Sequence, residues 1–443
     1  MAPFTADQAR ALMQKALSYS KADACEVNLD ANRGGNIRYA RNSVSTAGAT
    51  DDMTLVVQSN VGQRAGTTTL NEFDDASIEK AVRRSEELAR LAPEDDEFMP
   101  PLGQQTYKPT NAFFDATAGI TPEYRADVAD KCMAPAKARD CTAAGFLQNN
   151  AGWHAMMNTA GLFAYHRDTN VNFTVTVRTN DGTGSGYALR SANDVAKFDA
   201  VTASQVALEK AAASKDARAI EPGKYTVILE PEAAAGLLQF MLFNLNARNA
   251  DEGRSFLSKA GGGTKLGEKI VDERVRLYSD PGHPDLPTSP WGGDGRAFEP
   301  TDWIAGGVVK NLFYSRYWAK KQNVKATPAP PNMILAGGTA STEDLIRDTA
   351  RGVLVTRTWY IRSVDPQTLL LTGLTRDGTF YIENGQIKHA IKNFRFNESP
   401  VIMLNNIDAL GRQSVVAGEF GTPSLIPVMR VRDFTFSSLS DAV

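Results

Sequence analysis

Histidine and cysteine are scarce in this chain of 443 residues, which contains four histidines and three cysteines. No two histidines have the spacing that would place both on one face of a helix, so a metal site would need distant segments to converge. The cysteines are odd in number and form no Cys-x-x-Cys pair, which favours free thiols in a reducing cytoplasm. The histidines are His154, His166, His283 and His389, and the cysteines are Cys25, Cys132 and Cys141.

Long apolar runs and blocks of one charge are also missing. No apolar run approaches the length that spans a bilayer, and Met1–Arg10 lacks the charged start and apolar core of a signal peptide. The net charge is -3, with lysine and arginine spread along the chain, unlike the basic patches of nucleic-acid-binding proteins. We therefore expect a cytoplasmic protein with no membrane segment and no direct contact to nucleic acid.

The length of the chain predicts two or three domains, in an α+β fold. In the first half, the order helix, several antiparallel strands, helix occurs twice, over about 1–100 and 121–216. This pseudo-repeat predicts an N-terminal domain over 1–216, in which one antiparallel sheet carries its helices on a single face.

A second domain is expected over 224–443, after a turn-rich hinge. It begins with a strand that runs directly into an apolar helix starting at Pro231. Mainly strand-like segments follow, including a strong alternating strand predicted over Gly352–Ile361, so we expect an antiparallel, barrel-like domain with embedded helices. The segment Ser279–Pro300 is a long loop rich in proline and glycine, and loops of this length are often functional.

The start of the helix at Pro231 is where a metallopeptidase of the His-Glu-x-x-x-His kind would hold its ion. This chain has Pro231, Glu232 and Gly236 at the three motif positions. Proline and glycine have no side-chain donor, and catalytic zinc normally needs three protein ligands. Glu232 alone would not hold the ion, so the residues by themselves predict a well-packed core helix.

No other local pattern identifies an active site. No Gly-x-Ser-x-Gly elbow follows a strand, and the cysteines are interpreted as structural. His154 and His166 lie in predicted strands and are interpreted as structural histidines, while His283 is expected to be solvated. His389 is predicted on the same face as Ile387 and is interpreted as a hydrogen-bonded core or cleft histidine.

Several motifs in the second half occur together in an order that resembles the TldD/PmbA family. In the TldD branch of that family, the helix that matches Pro231–Asn244 carries the histidine ligands, and a cysteine near the C-terminus is a further ligand. This chain lacks both histidines and has no cysteine after Cys141, so it resembles the TldE or PmbA branch. The motifs are Tyr225–Leu245, Gly292-Gly293-Asp294-Gly295, Trp303–Gln322, Leu345–Trp359 and Tyr381–Gly385.

The resemblance implies a non-catalytic subunit that holds no cofactor and pairs with a zinc-containing, TldD-like subunit. Such pairs cleave unfolded peptides that enter as an extended strand. Two alternatives stay open: a self-sufficient homodimeric hydrolase that uses His389 and Glu232, and a binding protein that modulates gyrase. For the peptide groove, the candidate lining residues are Arg357, Trp359, Tyr360 and His389.

Overall fold

One β-sheet in the first half of the chain has six antiparallel strands. The computed structural model describes residues 4–418 and 420–440. The strands are β1 (Ala24–Ala40), β2 (Ser43–Val61), β3 (Arg64–Leu70), β4 (Cys141–Asn158), β5 (Phe163–Thr179) and β6 (Ser185–Ala192). Their order is β3-β2-β1-β4-β5-β6, so each half of the predicted repeat contributes three strands, and β1 pairs with β4 at the centre.

The helices of the first half cover a single face of this sheet, as predicted. Successive side chains of a strand point to opposite faces, and on β1, β2, β4 and β5 the buried apolar residues that face the helices, such as Val27, Leu147 and Phe173, have odd numbers. They form two apolar clusters, one beneath α1 and α2 and one beneath α4 and α5. The helices are α1 (Ala6–Ser18), α2 (Asp75–Leu91), α3 (Asp115–Ala118), α4 (Pro122–Ala138) and α5 (Ala200–Ala213).

The second half of the chain forms a larger, mainly antiparallel sheet of 13 strands. Between its strands, as far as the described residues show, two pairings are parallel, those of β12 with β7 and of β11 with β19. The strands are β7 (Gly223–Leu229), β8 (Arg276–Ser279), β9 (Thr301–Ala305), β10 (Val308–Val309), β11 (Met333–Leu335), β12 (Arg351–Val355), β13 (Thr358–Asp365), β14 (Leu370–Thr375), β15 (Thr379–Glu383), β16 (Gln386–Ala390), β17 (Phe394–Glu398), β18 (Ile407–Val416) and β19 (Ser424–Leu439).

No closed barrel forms among the strands of residues 4–418 and 420–440. The path β10-β9-β8-β11-β19-β7-β12-β15-β16 is open, and β13-β14-β17 joins it as a branch at β19. A register shift between Val431 and Phe434 divides the pairing of the long β19 with β7. This strand pairs with β7, β11, β17 and β18, so the sheet branches instead of closing.

The helices of the second half are packed against this sheet. The predicted helix at Pro231 is confirmed, and nine of its residues, including Leu237 and Leu242, are buried. None of the helices in the described part of the chain combines the length and the apolarity needed to cross a membrane. The helices are α6 (Pro231–Phe243), α7 (Ala247–Asp251), α8 (Arg316–Gln322), α9 (Thr342–Arg347) and α10 (Pro400–Asn405).

The prediction of a single strand over Gly352–Ile361 is wrong, because the structure divides this segment between β12 and β13. At the break, the Thr356 hydroxyl donates to the carbonyl oxygens of Asp377 and Gly378, at 3.1 and 2.8 Å. The Arg357 guanidinium donates to the Asp377 carboxylate at 2.8 Å. These contacts turn the backbone out of the strand, so the alternation of faces predicted across residues 352–361 does not continue past Val355.

The long loop between β8 and β9 is held against the first sheet. The Tyr107 hydroxyl donates to the Gly295 carbonyl oxygen at 2.7 Å, and the Thr110 hydroxyl donates to the Thr288 carbonyl oxygen at 2.7 Å. Trp291 is buried in a small apolar cluster with residues of β4 and β5. The domain limits 1–216 and 224–443 stay a prediction.

Two glycines at the outer strands of the first sheet allow helices to approach closely. A Cβ atom at Gly66 on β3 would collide with the backbone of Ser85 and Ala89 in α2, and one at Gly186 on β6 would collide with the backbone of α5. We expect Gly66→Ala and Gly186→Ala each to lower the free energy of unfolding by about 1–3 kcal/mol, because the helix must shift. Urea unfolding would measure this.

The control for these variants is Gly293→Ala, because a Cβ atom at Gly293 would have no neighbour within 4 Å. If all three substitutions had the same small effect, close helix–sheet packing at β3 and β6 would not be the reason for the two glycines.

Candidate functional site

The first turn of α6 lies at the end of a buried strand. β7 ends at Leu229, and Glu230 precedes the helix with an extended backbone. Pro231 takes the first helical position, where its missing N–H costs no hydrogen bond. The Lys210 ammonium of α5 lies 2.5 Å from the Glu230 carboxylate, so the start of α6 is fastened to the first half of the chain.

Gly236 stands where the second histidine of a metal motif would be, and side chains of β13 lie close to it. A Cβ atom at Gly236 would lie 2.9 Å from Ile361 Cδ1 and 3.0 Å from Thr358 Oγ1, so these side chains would have to shift to accommodate it. Thr358 also donates a hydrogen bond from Oγ1 to the Ala233 carbonyl oxygen at 2.9 Å. Strand β13 therefore packs directly on α6 at Gly236, and a larger residue at this position would have to displace the Ile361 or Thr358 side chain.

The remaining motif residue, Glu232, has other contacts. Its carboxylate lies 3.4 Å from the Gly418 backbone nitrogen. Burial, with the Glu232 carboxylate as a further cause, raises the pKa of Tyr187 on β6. Across residues 4–418 and 420–440, no group of three His, Cys, Asp or Glu side chains is placed to hold a metal ion. Zinc does not fit the residues of this helix.

Three of the four groove candidates lie near one another on β13 and the turn before it. Trp359 and Tyr360 are both exposed, at 37% and 53%, and their ring centroids are 5.6 Å apart. Arg357 instead turns inward, where its guanidinium lies 3.8 Å from the centroid of the Tyr187 ring and contacts Asp377. The structure thus brings the two aromatic candidates together on the surface, whereas Arg357 contacts Tyr187 and Asp377 in the interior.

His389 lies on a different part of the sheet. Its ring stacks on Tyr381 with centroids 5.4 Å apart, and its Nδ1 lies 3.0 Å from the Ala390 carbonyl oxygen. It belongs to β16 at one end of the strand path, whereas β13 lies on the branch through β14. His389 is therefore not grouped with Trp359 and Tyr360.

Two histidines that the sequence presented as isolated lie opposite each other on the helix-free face of the first sheet. The register pairs Asp30 with His154, and His154 with His166. His154 Nδ1 is 2.7 Å from Asp30, and His154 Nε2 is 3.6 Å from Asp168. His166 Nε2 is 3.9 Å from Asp168 and has no hydrogen-bond partner among residues 4–418 and 420–440. Strand register creates this row, so residue spacing along the chain could not reveal it.

The two imidazoles of this row have opposite pKa shifts. Burial lowers the pKa of His154, but Asp30 and Asp168 outweigh that effect and raise it above its usual value. Burial lowers the pKa of His166 to about 4, with His154 lowering it further and Asp168 opposing. The His166 and Trp291 rings are nearly perpendicular, with centroids 5.8 Å apart, so the neutral imidazole is part of the contact with the long loop.

Comparison with known sequences identifies the class of protein. A profile described as the PmbA/TldA metallopeptidase C-terminal domain matches residues 222–438, and the profiles of domain 1 and the central domain match 25–89 and 117–216. The fold and the region around α6 are thus those of a metallopeptidase-type protein. The three profiles together cover most of the chain, which belongs to the PmbA/TldD family.

Two curated archaeal proteins are similar over part of their length. A metalloprotease of Methanothermobacter thermautotrophicus is 24% identical over 282 residues, 58% of this chain and 59% of the relative. An uncharacterized protein of Methanocaldococcus jannaschii is 28% identical over 186 residues, 41% of this chain and 42% of the relative. The chain matches less than two thirds of the length of either protein.

Solved structures resemble the chain over almost its whole length. TldE from Thermococcus kodakarensis has a TM-score of 0.87 at 18% identity, covering 98% of this chain and 100% of that one. A proposed modulator of DNA gyrase from Thermotoga maritima has a TM-score of 0.85 at 17% identity, covering 97% and 100%. Another, from Bacteroides thetaiotaomicron, has 0.85 at 20% identity, covering 99% and 100%. At these identities the likeness establishes the shared fold.

Restoring the motif should not restore the metal site. We expect the double variant Pro231→His/Gly236→His to bind no stoichiometric zinc and to lose about 1–3 kcal/mol of stability, because the side chain at 236 would displace Thr358 and Ile361. Elemental analysis and urea unfolding measure both effects. The control is Pro231→His alone, which leaves the contact at Gly236 intact. A double variant with one tight zinc and unchanged stability would contradict this interpretation.

The buried His166 should make the protein less stable in mild acid. An unfolded histidine has a pKa of about 6.5, and the folded value is about 4, so the unfolded state binds the proton first as the pH falls. This contribution to stability is fully present above about pH 6.5 and is lost toward about pH 4.

We therefore expect His166→Gln to lose less free energy of unfolding than the unmodified chain between about pH 7 and about pH 4.5, by on the order of 1–3 kcal/mol. Urea unfolding at several pH values measures this slope. Asn172→Gln, on the same strand and the same face, is the control because it removes no titrating group. Equal slopes in all three proteins would show that His166 is not the source of the acid sensitivity.

Proposed function

We propose that this chain is the non-catalytic subunit of a heterodimeric zinc peptidase that cleaves unfolded peptides. A TldD-like partner would hold the zinc, and this chain would contribute to assembly and to substrate binding. The observation that carries the proposal is the filled position at Gly236, in a chain of a family described as metallopeptidases. Helix α6, which would hold the metal, is packed in the core, and the residues at the two histidine positions, Pro231 and Gly236, have no side-chain metal ligand.

Substrate binding is assigned to the exposed part of β13. Edge strands bind extended peptides through backbone hydrogen bonds, largely independently of sequence, and nearby side chains add contacts. Trp359 and Tyr360 give this strand a large exposed aromatic surface directly beside α6. A cytoplasmic location is part of the proposal and agrees with three buried cysteines that form no disulfide.

The first test of this proposal is the metal content and peptidase activity of the purified chain, alone and mixed with a TldD-like subunit from the same genome. We expect neither zinc nor cleavage of an unfolded peptide from the chain alone, and cleavage from the mixture. The mixture should keep its rate when Glu232→Gln is introduced here, because this carboxylate holds no metal in the proposed complex.

Two controls complete the test. The TldD-like subunit alone should cleave more slowly than the mixture, and changing the glutamate of its metal motif to glutamine should abolish cleavage. Tightly bound zinc and cleavage by the isolated chain, both lost in Glu232→Gln, would support a self-sufficient hydrolase and overturn the proposal.

A further inference from the structure

The outer edge of β5, opposite the side that pairs with β4, is interrupted before β6 begins to pair with it. The chain between α2 and α3 contacts this edge at two places. The Gln104 side chain accepts from the Phe163 N–H at 3.0 Å and donates to the Phe163 carbonyl oxygen at 3.3 Å. The Ala112 carbonyl oxygen accepts from the Thr169 N–H at 2.9 Å. These contacts close both ends of an edge gap between Phe163 and Thr169.

Four backbone groups lie in the edge gap. Phe163 and Thr169 bond outward, away from β4, and alternate residues of an antiparallel strand direct their backbone groups to the same side. The N–H and C=O groups of Tyr165 and Arg167 therefore also point outward. In the described part of the chain, none of these four groups has a hydrogen-bond partner. Unpaired groups on a strand edge are able to bind another extended chain.

A cleft of about 300 Å³ lies at the edge gap. Its volume is at the small end of the range for ligand sites. Tyr165 and Arg167 line it on the strand side, and the rings of Tyr107 and Phe113 belong to residues that line it from the opposing segment. The Tyr107 ring packs against Trp291 with centroids 5.4 Å apart. This part of the wall is thus held in place before anything binds, which lowers the entropic cost of binding.

Arg167 gives the cleft a positive charge. Its side chain is exposed, and its guanidinium lies 4.2 Å from the centroid of the Phe113 ring. Among residues 4–418 and 420–440 it forms no ion pair and no side-chain hydrogen bond. None of the described residues that line the cleft is acidic. Stacking on an aromatic ring leaves the N–H groups of an arginine able to bind a carboxylate in a bidentate manner.

We propose that this cleft binds a short extended peptide segment that carries a carboxylate. The peptide backbone pairs with Tyr165 and Arg167 on the edge of β5. The carboxylate, from the C-terminus of the peptide or from an acidic side chain, binds the Arg167 guanidinium. Because Gln104 and Ala112 close the edge gap, the paired segment extends only over the stretch opposite residues 164–168. The inference goes beyond the proposed function, since binding here needs neither zinc nor a second subunit.

The test uses the purified full-length chain and dye-labelled tetrapeptides, with binding followed by fluorescence anisotropy. The peptides are Thr-Val-Thr-Val with a free C-terminal carboxylate, the same peptide with a C-terminal amide, and amidated Thr-Val-Thr-Glu. We expect at least one of the two carboxylate peptides to bind on the order of tenfold more tightly than the neutral amide. The peptide that binds more tightly identifies the source of the carboxylate.

The preference for a carboxylate should fall to near unity in Arg167→Gln, which keeps hydrogen-bond donors but removes the charge. The matched control is Arg10→Gln, because Arg10 stacks at 3.7 Å over Phe163 of the same strand and does not line the cleft. This control should keep the preference. Unfolding midpoints are recorded for each variant, and Arg167→Met replaces Arg167→Gln if the latter does not fold.

Hydrogen exchange of the unmodified chain tests the location of binding without any substitution. The bound peptide should slow the exchange of backbone amides in residues 163–169 and leave those of β13 unchanged. A carboxylate peptide with alternate backbone amides N-methylated should neither bind nor give this protection, because it cannot pair with the edge of β5.

Three results would each overturn the inference: equal binding of the neutral and both carboxylate peptides, an unchanged preference in Arg167→Gln, or no protection of residues 163–169. Binding at this cleft without cleavage by the two-subunit mixture would contradict the proposed function alone. Cleavage by the mixture without binding at this cleft would contradict this inference alone.

Discussion

One buried carboxylate, that of Asp377, joins the two sheets of this protein. Its side chain is 1% exposed, accepts hydrogen bonds from Ser185 on β6 of the first sheet and from Arg357 of the second, and lies on a residue with a φ of 57°. A buried charge is costly unless it is paired and hydrogen-bonded. Because these partners come from both halves of the chain, satisfying Asp377 requires the halves to dock.

The docking determines the local structure around α6. Arg357 contacts Asp377 where the chain leaves the strand after Val355, and β13 then begins on another branch of the sheet. β13 then places Thr358 and Ile361 against Gly236 and turns Trp359 and Tyr360 to the surface. The filled metal position and the exposed aromatic edge are consequences of the same turn in the backbone.

A helix that loses its metal must replace the ligand contacts with packing, because an empty polar cavity in the core would be unfavourable. In α6 the space beside Gly236 is taken by two side chains of β13, since a Cβ atom there would lie 2.9 Å from Ile361 Cδ1 and 3.0 Å from Thr358 Oγ1. The family fold is thus retained, as the TM-scores of 0.85 to 0.87 at 17–20% identity indicate, while the chemistry at this helix differs from the metal-binding motif.

The sequence by itself determined the features that depend on local pattern. Apolar alternation and periodicity predicted a first sheet with its helices on one face, a buried strand entering α6, and a mainly antiparallel second half. The sequence alone shows that Pro231 and Gly236 have no side-chain metal ligand, because this depends on residue identity and not on position in space. The aromatic character of residues 359 and 360 was equally visible.

Only the tertiary structure decided how distant segments meet. The branch at β19, the break between β12 and β13, the inward turn of Arg357 and the separation of His389 from the other groove candidates all follow from long-range pairing. The row of Asp30, His154 and His166 depends on the register of three strands, two of them more than 100 residues apart along the chain. Pairing energies of this kind arise between segments, so no window of local sequence contains them.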